Sequence, residues 1–248
     1  MNINDVRQFT DETIEEYRDI CIDDGRKPGG VNRYLDVYSN LGNMMVKWHY
    51  AATNPVSNVR DAKGAKAEEL FYLTKEEMQR YFDASWKNYT VYGMIGFNTG
   101  GRPSEILTRE LRDIDLEHDI VLFTNKAKYG FQLKDHQRRS VPLFAELKKF
   151  IIKYFAGRKQ DSLLISTEAG DPYKEGDFRS LMTRYMRPKL EMPKLVPYTM
   201  RHTYAAHLLF KTRDIKLLSH QLGHESIRIT HEWYGHLLKG YAETALDA

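Results

Sequence analysis

Residues 197–236 read PYTMRHTYAAHLLFKTRDIKLLSHQLGHESIRITHEWYGH, and their pattern carries the clearest signals of the fold. The apolar run after Arg201 is typical of a buried helix. Gly223 ends the helical segment that follows, because glycine readily takes the left-handed conformation that stops a helix. Ser226 is placed to cap one more helix, which reaches Tyr234 beside Gly235, a glycine expected to let the chain turn. The stretch therefore predicts three successive helices with polar side chains at their ends.

The first sixty residues also have a helical pattern. An earlier helix around Glu12–Asp23 is followed by a break at residues 26–30, and Asn54-Pro55 is expected to stop the next helix. The small and charged residues after it are expected to bury almost nothing. The apolar stripe between these two breaks has a spacing of three or four residues and comprises Val31, Tyr34, Leu35, Tyr38, Leu41, Met45 and Trp48. We predict a helical domain over residues 1–60, a linker over 61–72 and a larger domain over 73–248.

The larger domain combines helices with a small sheet. Thr74 and Glu77 form a capping box that opens a helix to about Ser85, and a second apolar helix runs to Phe97. Ile120–Phe123 and Arg139–Leu143 have strand composition, and the Lys-rich segment between them predicts a hairpin with a long tip. The fold class predicted is mainly α with a small antiparallel β-sheet (α+β).

Two arginines stand at predicted helix N-termini. Arg102 precedes Pro103, which suits the first position of a helix, and Arg201 follows Thr199, the predicted N-cap of its helix. A cation opposes the helix dipole there, so both positions favour a bound anion, and a guanidinium suits phosphate. Glu105, one turn after Arg102, could fix its guanidinium.

Positive charge is unevenly distributed. The chain carries a net charge of +3, whereas residues 179–216 alone carry nine Lys/Arg and two Asp/Glu. Such a surface is expected to bind a polyanion. Arg179, Arg184 and Arg187 are the predicted DNA-binding residues. A solvated helical face with incidental charge stays an open alternative.

Other features narrow the class of protein. No apolar run approaches the ~20 residues of a membrane span, and the N-terminus does not resemble a secretory signal. The single Cys21 excludes an internal disulfide. A cytoplasmic protein without a membrane partner is expected.

These motifs, in this order, resemble the tyrosine recombinase (phage integrase) family. The resemblance rests on Thr-Gly-Gly-Arg at Arg102, Arg-His-Thr at Arg201, Leu-Gly-His at His224 and Tyr-Gly-His at Tyr234. It implies a helical core-binding domain followed by a catalytic domain. It further implies a site-specific recombinase that cuts and rejoins double-stranded DNA through a 3′-phosphotyrosine, without metal or cofactor. A homotetramer on synapsed DNA sites, with accessory DNA-bending proteins as further candidate partners, belongs to the same expectation.

The resemblance also implies roles for individual residues. Tyr234 is the expected nucleophile, Arg102 and Arg201 the phosphate clamp, and His224 a hydrogen-bonding partner of the phosphate or of the tyrosine. The general acid is a hairpin lysine, Lys126, with Lys128 as the alternative.

One position departs from the family pattern. Tyr198 occupies the place of the usual box histidine, and a tyrosine donates a hydrogen bond but carries no positive charge near neutral pH. The adjacent His202 points about a hundred degrees away on a helix and is a poor substitute.

Other functions remain as alternatives. A metal-dependent hydrolase would use the six histidines of residues 202–236, in which His220 and His224 have the spacing of a zinc pair. A DNA-binding regulator on the same fold would need no nucleophile. A type IB topoisomerase would share the chemistry but need no specific site.

Overall fold

A computed structural model describes residues 5–64, 70–133 and 138–238 of the chain. The chain forms two compact units, residues 1–69 and residues 70–248. No helix in the described ranges is both long and apolar enough to cross a membrane.

The smaller unit is built on two helices, α1 (Asp11–Asp23) and α2 (Pro28–Lys47). The Thr10 hydroxyl caps α1 by accepting a hydrogen bond from the backbone of Thr13. Apolar side chains of both helices and of the segments around them form its core, namely Phe9, Ile14, Leu35, Met45 and Val56.

Three details of this unit differ from the sequence predictions. Helix α2 begins at Pro28, inside the predicted break, because proline suits the first turn of a helix. It ends at Lys47, so Asn54-Pro55 does not stop it. Asn54 instead donates a side-chain hydrogen bond to the Ser39 carbonyl oxygen at 3.1 Å. The expectation that the following segment buries almost nothing was also wrong, since Val56 and Ala62 are buried.

The larger unit is mainly helical, as predicted. Its helices are α3 (Lys75–Ala84), α4 (Asn88–Thr99), α5 (Pro103–Leu107), α6 (Ala145–Tyr154), α7 (Glu175–Leu181), α8 (Arg187–Leu190), α9 (Tyr198–Thr212), α10 (Ile215–Leu222) and α11 (Ile227–Tyr234). The capping box of Thr74 and Glu77 opens α3, which confirms that prediction. Helix α4 is buried nearly all round and packs against α9. This packing holds the end of α4 close to the start of α9.

The sheet of the larger unit has three antiparallel strands, β1 (Ile114–Asp115), β2 (Ile120–Phe123) and β3 (Arg139–Pro142). Val121 of β2 pairs with Ile114 on one side and Val141 on the other. The two predicted strands are confirmed. Strand β1 was not predicted, because two residues are too few for an alternating pattern to be visible.

Candidate active site

Arg102 is placed by a sharp turn at the end of α4. Gly100 closes this helix in the left-handed conformation, with φ of 63°, and a Cβ there would lie 2.4 Å from Tyr204 Cδ1. Only glycine fits that position. The chain then enters α5 with Arg102 at the N-cap and Pro103 in the first turn, as predicted. Arg102 Nη2 donates to the Gly223 carbonyl oxygen at 3.1 Å.

Arg201 lies in the first turn of α9 and is buried. Its Nη1 donates to the Gly100 carbonyl oxygen at 2.8 Å, and its Nη2 donates to the Leu222 carbonyl oxygen at 2.9 Å. Burial and the charge of Arg102 lower the pKa of Arg201 to about 10. It therefore keeps its positive charge at neutral pH.

The predicted cap of α9 was wrong. The N-cap position is Pro197, whose backbone is already helical with φ of −53° and ψ of −34°. Thr199 lies inside the first turn, where its Oγ1 accepts a hydrogen bond from the Val196 backbone at 3.0 Å. Proline presets the helical φ two residues earlier than the threonine pattern indicates.

A third arginine, Arg139 at the start of β3, completes this cluster. It donates to Glu105 Oε1 at 2.8 Å and to Oε2 at 2.6 Å, and its Nε donates to the Gln221 carbonyl oxygen at 3.0 Å. Sequence reasoning missed Arg139 because it read the residue only as part of a strand. Its position thirty-four residues from Glu105 gives no local signal of this contact.

The arginine cluster, defined as Arg102, Arg139 and Arg201, converges on the C-terminal end of α10. The three guanidiniums donate to three successive carbonyl oxygens, those of residues 221, 222 and 223. This end of a helix carries partial negative charge, which stabilises cations. Glu105 is the carboxylate of the cluster and, as predicted, it contacts Arg102, with Nη1 and Oε1 3.2 Å apart.

The charge state of Glu105 follows from its surroundings. Burial alone would raise its pKa, but the hydrogen bonds and charge of Arg139 and the charge of Arg201 outweigh burial and lower the pKa to about 2. Three guanidiniums thus face one carboxylate. The excess positive charge suits an anion.

His224 follows Gly223, which ends α10 in the left-handed conformation as predicted. Its Nε2 lies 3.0 Å from Arg201 Nη2, and its Nδ1 lies 2.8 Å from Thr230 Oγ1. Because a guanidinium only donates, Nε2 accepts and the ring proton sits on Nδ1. Burial and the charges of Arg201, Arg102 and Arg139 lower the pKa of His224 to about 3, so the ring is neutral at neutral pH.

Tyr234 is the last residue of α11, which Ser226 caps as predicted. The tyrosine is only 2% exposed, and its Oη lies 3.0 Å from His202 Nδ1. Burial raises the pKa of Tyr234 to about 12, although the charge of Arg201 opposes the rise. Gly235 has φ of −60°, so it does not take the left-handed conformation, but an added Cβ would lie 2.5 Å from the His231 carbonyl oxygen, which leaves room for glycine only.

The sequence analysis judged His202 a poor substitute for the histidine that the family usually has at the position of Tyr198. In the structure His202 is directed toward α11, where its ring contacts Tyr234. Tyr198 is half-buried, with its ring centroid 6.1 Å from that of His202. The signal for His202 was its position directly after Arg201, which turns it to the next face of the helix.

The two candidate lysines lie together on the β2–β3 connection. Lys126 Nζ donates to Glu110 Oε2 and to Asp113 Oδ1, both at 2.8 Å, and Lys128 pairs with the other oxygen of Glu110. Lys126 is nearly buried at 10% side-chain exposure, whereas Lys128 is 46% exposed. Both lysines thus contact Glu110 rather than the arginine cluster.

The three arginines nominated for DNA binding lie on one segment, from α7 through a π-helical turn (Met182–Met186) to α8. Arg179 and Arg184 are exposed and line a surface groove. Arg187 is half-buried, and its Nε donates to the Leu195 carbonyl oxygen at 2.5 Å. Two of the three side chains are therefore available to a ligand without breaking an internal backbone contact.

The zinc pair suggested by residue spacing does not form. His224 lies beyond the end of α10, so it does not share a helix face with His220, and both of its ring nitrogens have partners. Across residues 5–64, 70–133 and 138–238, no three His, Cys, Asp or Glu side chains are grouped as ligands for a metal ion.

Comparison with known proteins shows which family this chain belongs to. The sequence model of the phage integrase family matches residues 72–240. The tyrosine recombinase XerC of Treponema denticola is 24% identical over 92% of this chain and 89% of its own.

Two solved structures share the fold. The Tn1549 transposon integrase in complex with transposon right end DNA has a TM-score of 0.76 at 18% identity, over 96% of this chain and 84% of that one. The XerH site-specific recombinase bound to a palindromic difH substrate has a TM-score of 0.74 at 19% identity, over 99% and 74%.

Because the family match covers more than half of its length, the chain belongs to the phage integrase family, the tyrosine recombinases. The predicted family, fold class and enzyme class are thereby confirmed: this is a site-specific recombinase.

Proposed function

We propose that this protein binds double-stranded DNA, breaks one strand at a specific site by attack of Tyr234 on a phosphodiester, and rejoins that strand to another. The observation that carries the proposal is the position of Tyr234, whose side chain is buried and whose hydroxyl lies 3.0 Å from the ring of His202, the residue that follows Arg201 on α9. A nucleophile at this position meets a phosphate held by the arginine cluster.

The arginine cluster supplies the phosphate site. Arg102 is held by the Gly223 carbonyl and Arg201 by the carbonyls of Leu222 and Gly100, and the excess positive charge of the cluster favours an anion. Guanidiniums placed where charge develops on the phosphoryl oxygens stabilise the transition state. His224 is neutral and hydrogen-bonded to Arg201. It donates a hydrogen bond to the phosphate once its ring proton has moved from Nδ1 to Nε2.

The reaction needs no net energy input. The Tyr234 oxygen bonds to phosphorus, the bond to the 5′-oxygen breaks, and the leaving oxygen takes a proton from Lys126, with Lys128 as the alternative donor. The 3′-phosphotyrosine keeps the energy of the broken bond, so a second 5′-hydroxyl reseals the strand. Glu110 and Asp113 hold Lys126 in the absence of DNA. The lysine has to exchange these carboxylates for the leaving oxygen.

The remaining expectations complete the proposal. The helical unit, predicted as residues 1–60 and joined by a 61–72 linker, acts as a core-binding domain beside the catalytic domain over 73–248. Arg179 and Arg184 contact DNA phosphates, and Arg187 supports them. Tyr198 donates a hydrogen bond to the phosphate in place of the usual histidine.

Four protomers assemble on two synapsed sites, with accessory DNA-bending proteins as further partners. Residues 237–246 have the sequence pattern of a short amphipathic helix, but the segment from residue 239 onward lies outside the described residues.

The test uses a library of nicked duplexes with a randomised core, from which the protein selects its own site. The nick lets the 5′-fragment diffuse away, so that a covalent adduct accumulates and survives denaturation. We expect wild-type protein and the exposed control Tyr154→Phe to form the adduct, and Tyr234→Phe to form none. Sequencing of the trapped DNA identifies the site. An adduct formed equally by Tyr234→Phe contradicts the proposal.

A further inference from the structure

The hydroxyl of Tyr234 needs a proton acceptor at the moment it attacks phosphorus. A neutral tyrosine is a weak nucleophile, and burial raises the pKa of Tyr234 to about 12. The family position that usually carries a histidine holds Tyr198, whose phenol is a poor proton acceptor at neutral pH. His224 has its Nε2 on Arg201 and its Nδ1 on Thr230, so neither nitrogen is directed at the tyrosine.

His202 is the group in contact with the reacting atom. Its Nδ1 is 3.0 Å from Tyr234 Oη, a distance within hydrogen-bond reach for proton transfer. The ring is held in place by Trp233, stacked at 6.0 Å between centroids with an interplanar angle of 26°. Tyr198 lies at 6.1 Å between centroids.

Resting on the function proposed above, we propose that His202 is the general base of the reaction, accepting the Tyr234 proton on Nδ1 during cleavage and returning it during rejoining. The ring proton then sits on Nε2 in the resting state. During cleavage the Oη–H bond breaks, Nδ1 gains the proton and Oη bonds to phosphorus. The leaving 5′-oxygen takes its proton from Lys126, so each proton has a donor and an acceptor. Rejoining reverses both transfers.

Burial and the charge of Arg201 determine the protonation of His202 in the free protein. Burial and the neighbouring Arg201 lower the pKa of His202 to about 4, which leaves the ring neutral but weakly basic. The groups that face it are Arg201 and Tyr198 from α9, and Tyr234 and Trp233 from α11. A phosphate bound at Arg201 offsets the positive charge and raises the basicity of His202. The base therefore becomes effective when the substrate arrives.

The test compares His202→Asn with wild type on the nicked duplex selected by the wild-type protein. The Asn side chain can still hydrogen-bond near the Nδ1 position but does not take up a proton. His220→Asn, at an exposed position of α10, is the matched control. We expect H202N to bind the duplex and to form the adduct about 10²- to 10⁴-fold more slowly at neutral pH, as removal of a general base does.

The pH profile separates a base from a merely structural histidine. The wild-type rate should be level across neutral pH and fall in acid, whereas the H202N rate should rise about tenfold per pH unit, because hydroxide must then remove the proton. A substrate with sulfur at the 5′ leaving position should not restore H202N, since the defect lies on the nucleophile. Equal rates for H202N and wild type, parallel profiles, or rescue by the sulfur substrate would overturn the proposal.

A second measurement uses the wild type alone and does not depend on the folding of a variant. The ¹⁵N NMR signals of the His202 ring should show a neutral ring with its proton on Nε2 in the free protein, which leaves Nδ1 to accept from Tyr234. A ring proton on Nδ1 overturns the proposal. Absence of any adduct from wild-type protein would instead refute the proposed function, so the two failures are distinguishable.

Discussion

Arg139 donates two parallel hydrogen bonds to Glu105, at 2.8 Å and 2.6 Å, across the interior of the larger unit. Both side chains are almost completely buried. Bidentate pairing of this kind fixes the orientation of both groups as well as their distance. The carboxylate so fixed also accepts a hydrogen bond from the backbone of Arg102 at 2.7 Å. Arg139 is thus a positioning residue for the start of α5.

Removal of Arg139 should destabilise the protein strongly. Arg139→Leu leaves the Glu105 carboxylate buried without its main partner, which costs about 3–5 kcal/mol of unfolding free energy. The double variant Arg139→Leu with Glu105→Gln should recover part of this loss, because the buried charge is removed with its partner. Urea unfolding followed by circular dichroism measures both.

The matched control is the exposed ion pair of Arg228 and Glu232, 2.9 Å apart on α11. Arg228→Ala should change the stability by less than about 1 kcal/mol, as exposed pairs do. An Arg139→Leu variant as stable as Arg228→Ala would show that the buried pair contributes no more than a surface pair.

The stability of the free protein should fall on mild acidification, before the carboxylates titrate. Burial and three arginines lower the pKa of His224 to about 3 in the folded protein, against a reference of 6.5. The unfolded chain therefore binds the proton more tightly, and the free energy of unfolding decreases as the pH falls from about 6.5. Glu105 has a pKa of about 2 in the folded protein against a reference of 4.5, so it adds its own loss of stability only below about pH 4.5.

Between pH 6.5 and 4.5, His224→Asn should therefore show a shallower loss of stability than wild type. The urea midpoint measured at steps of pH provides the comparison, with exposed His220→Asn as control. His202, whose pKa is lowered to about 4, contributes in the same window, so some loss should persist in the variant. Identical pH profiles for His224→Asn and wild type would contradict the burial of a neutral His224.

Local sequence signals predicted most of the fold and part of the site geometry. The capping box at Thr74, the glycine end at Gly223 and the cap at Ser226 depend on residues within one helical turn, and all three were confirmed. Thr199 was misjudged because Pro197 starts the helix earlier. Such errors arise where two local signals compete.

Contacts between distant segments could not be predicted in the same way. Arg139 meets Glu105 across thirty-four residues, and His202 meets Tyr234 across thirty-two. These pairs depend on how β3, α5, α9 and α11 pack, and no single segment carries that information.

Gly100 should tolerate no side chain, whereas a glycine of the same backbone conformation elsewhere should. Gly100 and Gly130 have φ of 63° and 64°, but only at Gly100 does an added Cβ meet other atoms, with Tyr204 Cδ1 at 2.4 Å. Gly130→Ala should lower the free energy of unfolding only by the strain of the left-handed backbone, about 1–2 kcal/mol. Gly100→Ala adds overpacking of about 1–3 kcal/mol and displaces the carbonyl that holds Arg201.

Denaturant unfolding and adduct formation distinguish the two glycine variants. Gly130→Ala should lose some stability and keep its cleavage rate once folded. Gly100→Ala should lose more stability and also cleave more slowly, because Arg201 is displaced. Equal effects of the two substitutions on both measurements would show that the space beside Gly100 is less restricted than the structure indicates.

The choice between Lys126 and Lys128 as general acid can be settled with a substrate that does not need one. Lys126→Met should slow cleavage of the ordinary nicked duplex by about 10²- to 10⁴-fold, because the 5′-oxygen then leaves without a proton. A 5′-sulfur leaving group should restore the rate, since a thiol, with a pKa of about 8.5, departs as a thiolate far more readily than an alkoxide does. Lys128→Met is the matched control and should cleave both substrates at nearly the wild-type rate. The assignment would be reversed if Lys128→Met were slow and were rescued by the sulfur substrate, while Lys126→Met cleaved the ordinary substrate at the wild-type rate. Lys126 would then be a structural partner of Glu110 and Asp113.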